Sequence, residues 1–121
     1  MRIFTLIVLI FLGLSGQVLS ADIKAGEKVF KKCKACHLVD QEKNKTGPHL
    51  VGIVGRPVAT VESYKKYSKA MKESNLVWDE ATLDAYLAKP NTFLKGTKMV
   101  FAGLKKEKDR KDLIAYLKSF Q

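Results

Sequence analysis

The sequence predicts an all-α domain. Apolar residues recur at spacings of three and four near both ends of the chain, and aspartates stand where caps belong before two such runs. No stretch alternates apolar and polar residues as a half-buried strand would.

The elements follow in chain order. Ile23, Gly26, Phe30 and Cys33 share a helical face, Asp22 stands in cap position, and Lys31, Lys32 and Lys34 lie toward the end, where cations suit the helix dipole. A first helix running into the cysteines is expected. Gly26 inside it costs about 1 kcal/mol relative to alanine, so a close helix crossing is expected there, with Gly26 and Phe30 against Leu113 and Tyr116; the alternative is a surface glycine at a frayed start. Residues 46–57 hold too many Gly and Pro for a helix interior and read as a wrapping loop. A short helix is expected over 68–73. Asp79 is placed to cap a helix carrying Leu83, Tyr86 and Leu87 on one face, which Pro90 ends. From about Glu107, the spacing of Arg110, Leu113, Ile114, Leu117 and Phe120 predicts a last amphipathic helix.

Chemistry concentrates in one place. Cys33, Cys36 and His37 form Cys-Lys-Ala-Cys-His, and C-x-x-C-H is the attachment signature of a c-type haem. Cysteines three apart on a helix share a face, so both sulfurs reach one porphyrin edge, and the histidine that follows is held beneath the iron as proximal ligand. Three other uses of these residues stay open. A dithiol redox pair expects a βαβ context. A zinc site needs four ligands, whereas the chain has two cysteines and two histidines, with His49 off the usual spacing. A disulfide within the pair would close too short a loop to constrain the unfolded chain much.

Residues 1–20 read as a Sec signal peptide. Arg2 precedes the apolar stretch 3–14, and the small residues Val18 and Ser20 are placed for cleavage before Ala21. The alternative is an uncleaved membrane anchor, for which the stretch is short. Export suits covalent haem, and a periplasmic address is expected. Residues 21–121 then form one small domain, without repeats or linkers, whose interior a haem would help to fill. The net charge of +10, one unit less without Arg2, comes almost wholly from lysine. Nucleic-acid binding is the other standard reading of such a charge, and export with a redox cofactor argues against it.

Residues 25–37, 46–50, Gly55-Arg56, Trp78, 83–87, the run Gly-Thr-Lys-Met-Val-Phe-Ala-Gly over 96–103, and 112–118 together resemble class I cytochrome c, in order and with matching gaps from about Ala25 to Phe120. The likeness is strongest to mitochondrial cytochrome c and its soluble alphaproteobacterial relatives. It implies crossed N- and C-terminal helices, with further short helices and loops wrapped around one haem held through Cys33 and Cys36.

The resemblance also implies roles. Met99 becomes the sixth ligand opposite His37, its soft thioether favouring the reduced iron; a core methionine is the alternative, and His49 and Met71 are rival ligands. Pro48 would accept the proximal histidine's Nδ1 proton. Arg56, Tyr67 and Trp78 match positions that bind haem propionates, while Tyr86 and Thr97 sit where hydroxyls bond near the methionine and the inner propionate. Met71 and Asn91 depart from the mitochondrial pattern, which has asparagine and lysine there. Lys32, Lys45, Lys98, Lys105 and Lys106 correspond to the basic ring around the exposed haem edge.

The expectation is therefore a monomeric electron carrier, not an enzyme, with no small-molecule substrate and no nucleic-acid partner. It would shuttle single electrons between a quinol-oxidising bc-type complex and a terminal oxidase or photosynthetic reaction centre, meeting their acidic docking faces transiently. The competing readings are a haem enzyme or gas sensor with an open iron position, and a structural subunit of a larger complex.

Overall fold

A computed structural model describes Gly13 and residues 20–121. The signal peptide expected over 1–20 lies, Gly13 and Ser20 apart, outside the described residues. Five helices follow in order: α1 (Ile23–Phe30), α2 (Lys69–Glu73), α3 (Glu80–Ala88), α4 (Pro90–Phe93) and α5 (Glu107–Lys118). Among the described residues, strand pairing is confined to an isolated antiparallel bridge between Pro57 and Val77, and no helix is long and apolar enough to cross a membrane.

Helices α1 and α5 cross at Gly26, as the spacing predicts. A Cβ there would run into the Asp112 carbonyl and lie 2.8 Å from Tyr116 Cβ, so only glycine lets the backbones come this close. Phe30 and Tyr116 rings pack beside the crossing, centroids 5.5 Å apart, and Leu113 is fully buried. The Asp22 carboxylate accepts from the N–H groups of Lys24 and Ala25, capping α1. Asp79 caps α3 through Thr82 N–H at 2.7 Å.

Two expectations are modified. The regular part of α1 stops at Phe30, and the chain continues through tighter turns in which Cys33 N–H donates to Phe30 O and Cys36 N–H to Cys33 O. Beyond the motif no helix continues, and the Cys36 carbonyl accepts from Gly47 N–H at 2.8 Å instead. Pro90 does end α3, but it also opens α4 as the first helical residue, where its missing N–H is not needed.

Helix α3 packs on α5 and is pinned by two ion pairs, Arg110 to Asp84 at 2.8 Å and Lys118 to Glu80 at 2.9 Å. Arg110, read from the sequence as part of the last helix's spacing, also donates to the carbonyls of Leu104 and Lys105. Leu104 N–H bonds Leu87 O at 2.8 Å, and Gly103, at φ 108°, lies where a Cβ would strike the Ala88 carbonyl. The core of Phe30, Trp78, Leu83, Tyr86, Leu87, Leu104, Leu113, Ile114 and Leu117 sits where these helices meet.

Candidate haem site

The cysteine motif hangs from the end of α1, and the 44–49 segment folds back beneath it. Gly47 lies flat against the His37 ring: a Cβ at that position would collide with the ring atoms, Nδ1 at 2.8 Å and Nε2 at 2.9 Å among them. Pro48 O stands 2.7 Å from His37 Nδ1. A carbonyl can only accept, so Nδ1 carries the proton and Nε2 keeps its lone pair. Burial, with Arg56 and Lys45 nearby, holds the imidazole below its ordinary pKa against the opposing pull of the Pro48 bond. The ring is therefore neutral and oriented as a nitrogen donor.

Cys33 and Cys36 are unpaired and partly buried. Burial, reinforced by Cys36 and opposed by Lys32, pushes the Cys33 thiol up to about 11. A dithiol redox centre needs an accessible thiolate near neutral pH, and burial of this kind disfavours Cys33 as that thiolate. Among the described residues no group of three His, Cys, Asp or Glu side chains gathers as a metal cage, which removes the ligands a zinc site would use.

The Pro57–Val77 bridge brings two further candidates together. Trp78 N–H donates to Arg56 O at 2.9 Å, and Gly55 N–H to Trp78 O at 2.8 Å. The Arg56 guanidinium donates to Val51 O and His49 O, each at 3.1 Å. It is partly buried yet pairs with no carboxylate among the described residues. Burial pushes it down and Tyr67 opposes that shift. A partly buried cation of this kind suits an anionic group brought in by a cofactor.

Trp78 is buried, and its ring stands 4.9 Å from that of Tyr86. Tyr86 Oη and Thr97 Oγ1 are 2.8 Å apart, while burial lifts the tyrosine above its ordinary pKa against that bond. Tyr67 Oη accepts from Val61 N–H at 3.2 Å. Met99 is partly buried and packs against the core, while its neighbour Val100 is fully exposed. Met71 also packs against the core. His49 is buried with its Nδ1 unpartnered; its N–H goes to Asn44 Oδ1 and its carbonyl to Arg56.

Sequence reasoning missed Gly47 as the surface under His37, and missed Tyr64, whose hydroxyl donates to Thr46 O at 2.7 Å. The Thr-Gly-Pro run signals a turn but not what rests on it. Nothing local marks Tyr64.

The family model for cytochrome c matches residues 23–121. This chain belongs to the cytochrome c family. The cytochrome is 50% identical to cytochrome c of Sesamum indicum over 99 residues, which cover 80% of this chain and 88% of that protein. It is 47% identical to cytochrome c type-1 of Ascaris suum over 102 residues, 84% of this chain and 90% of that one. Its fold is similar to cytochrome cH from Methylobacterium extorquens, with a TM-score of 0.77 and 47% identity, covering 82% of this chain and 99% of the other. The cytochrome thus has the class I fold and carries covalent haem c through Cys33 and Cys36. Family membership makes it a haem electron carrier that exchanges electrons with redox partners.

The site fits that group. It offers one oriented imidazole nitrogen, two free thiols at the required spacing, a cation without a carboxylate partner among the described residues and a partly buried methionine in the 97–104 loop.

Proposed function

We propose that the chain is exported, loses residues 1–20, and works as a soluble periplasmic monohaem carrier with His37 and Met99 as axial ligands. Bound haem supplies one-electron chemistry between ferrous and ferric iron. The observation that carries this reading is the 2.7 Å approach of His37 Nδ1 to Pro48 O, which leaves Nε2 as a fixed donor. Met99 closes the other side with a soft sulfur, so no position is left for a substrate. Arg56, Tyr67 and Trp78 serve the propionates, and Tyr86 with Thr97 holds the methionine loop against α3.

Lys32, Lys45, Lys98, Lys105 and Lys106 are exposed and make no ion pair among the described residues. Their field steers the cytochrome toward acidic faces, and hydrated lysines release quickly. A quinol-oxidising bc-type complex is the donor in this reading, and a terminal oxidase or photosynthetic reaction centre the acceptor.

The visible spectrum of the purified ferric protein tests the ligation. The weak red band of methionine-to-iron charge transfer is expected, and Met99→Ala abolishes it. A parent protein that lacks the band and readily binds cyanide or azide is instead an enzyme or sensor. Intact mass of the exported protein reports removal of the leader and the single haem together.

A further inference from the structure

The segment that orients His37 is held partly by its own bonds and partly from outside. Residues 44–49 form a stirrup whose Gly47 carries the imidazole face and whose Pro48 carbonyl takes the Nδ1 proton. On its inner side the stirrup is tied by Gly47 N–H to Cys36 O at 2.8 Å. Two side-chain ties to another loop, far along the chain, hold it as well. Tyr64 Oη donates to Thr46 O at 2.7 Å, and Asn44 Nδ2 donates to Ser63 Oγ at 2.9 Å. Asn44 in turn accepts from His49 N–H at 3.0 Å, so the second tie reaches the residue just past Pro48.

Tyr64 is itself braced. Its N–H bonds Val61 O at 3.0 Å, and its ring meets the Tyr67 ring edge-on at 4.8 Å. The Tyr67 hydroxyl accepts from Val61 N–H, closing this loop on itself. The 61–67 loop is thus a fixed point, and the Tyr64 hydroxyl is its arm to the stirrup, two residues from the carbonyl that His37 uses.

We propose that Tyr64 is a positioning residue for the proximal histidine, holding the Thr46–Pro48 backbone so that Pro48 O stays pressed on the His37 Nδ1 proton, with Ser63 as its helper. This rests on His37 being an iron ligand. The physical consequence has a sign. A strong Nδ1–H bond to a carbonyl makes the imidazole a better electron donor and favours ferric iron. Releasing the strap weakens that bond, so the ferrous form gains and the reduction potential becomes more positive.

The test compares Tyr64→Phe with the unaltered holoprotein and with Tyr116→Phe, a tyrosine of α5 remote from the stirrup in its contacts. Hyperfine-shifted His37 ring resonances in the ferric parent protein establish ligation first; their absence overturns the ligand assignment before any variant is made. With ligation in place, Y64F is expected to speed exchange of the ferrous His37 Nδ1 proton by roughly two- to tenfold, the factor that corresponds to losing one ordinary hydrogen bond, and to move the potential positive. Y116F is expected to change neither. An Nδ1 exchange rate in Y64F equal to the parent's, or a potential that stays put or moves negative, overturns the proposal. Ser63→Ala, which cuts only the tie to Asn44, provides the second arm should Y64F fail to fold. It is expected to give a smaller change in the same direction, and no change there also overturns the proposal.

Discussion

The Asp112 carboxylate on α5 accepts the backbone N–H of Asp22 at 2.8 Å, so the residue that caps the first helix is itself held by the last. The same carboxylate is 2.7 Å from Lys108 Nζ, one turn earlier on α5, and its side chain is 3% exposed. One buried anion therefore joins the two ends of the described fold.

Burial alone would raise the Asp112 pKa, but the Lys108 ammonium and the Asp22 N–H outweigh it and hold the carboxyl below the usual carboxylate range. The unfolded chain, near 4 for such a group, then takes up the proton first as pH falls. The stability this residue contributes is present above about pH 4 and is lost as the pH drops through the folded value. Asp112→Asn is expected to lower stability by about 1–2 kcal/mol at neutral pH and to flatten that part of the acid limb. Denaturant titrations at several pH values measure both.

At the helix crossing two effects of a Gly26→Ala change oppose each other. Alanine would gain about 1 kcal/mol of helix propensity, but its Cβ meets the Asp112 carbonyl, which is backbone and cannot rotate away. Overpacking of this kind costs about 1–3 kcal/mol, so a net destabilisation is expected despite the better helix former. Thermal unfolding of the holoprotein checks the sign.

Gly47→Ala acts on the cofactor rather than the fold. The new methyl group would press into the face of the His37 ring, pushing the imidazole away from its bond with Pro48 O. The expected result is a high-spin component in the ferric spectrum while haem stays attached through the cysteines.

Encounter with an acidic partner is expected to be salt-dependent. Raising ionic strength from about 0.01 M to about 0.15 M shortens the screening length from roughly 30 Å to roughly 8 Å, and the second-order electron-transfer rate should fall about tenfold or more. Stopped-flow kinetics over that range measures it, and a flat profile would deny the lysines their steering role.

What the sequence disclosed and what it hid divide along physical lines. Asp22, Asp79 and the stripe from Leu113 to Leu117 act within one or two turns of themselves, so spacing alone places α1, α3 and α5. The tighter turns after Phe30 carry no periodic mark of their own, and the bond of Gly47 N–H to the Cys36 carbonyl that follows them joins positions eleven apart in the chain. Helix α4 was missed because proline ends one helix and can start another, and only the tertiary setting chooses. In the site, Cys33, Cys36 and His37 are contiguous and legible. Tyr64 with Thr46, and Arg110 with Asp84, lie 18 and 26 positions apart with no periodic signature.

The run from Thr97 to Leu104 is hydrogen-bonded mainly at its two ends, while Met99 and Phe101 between them pack against the core. Tyr86 holds Thr97, while Leu87, the close approach of Gly103 to Ala88, and Arg110 hold the far end. Among the described residues, the backbone of 98–101 makes one bond, from Phe101 N–H to Met99 O at 3.2 Å. Amides of residues 98–101 should accordingly exchange well before those buried in α1 and α5, and, with Met99 as the ligand proposed above, losing its sulfur would cost less than unfolding the rest of the molecule.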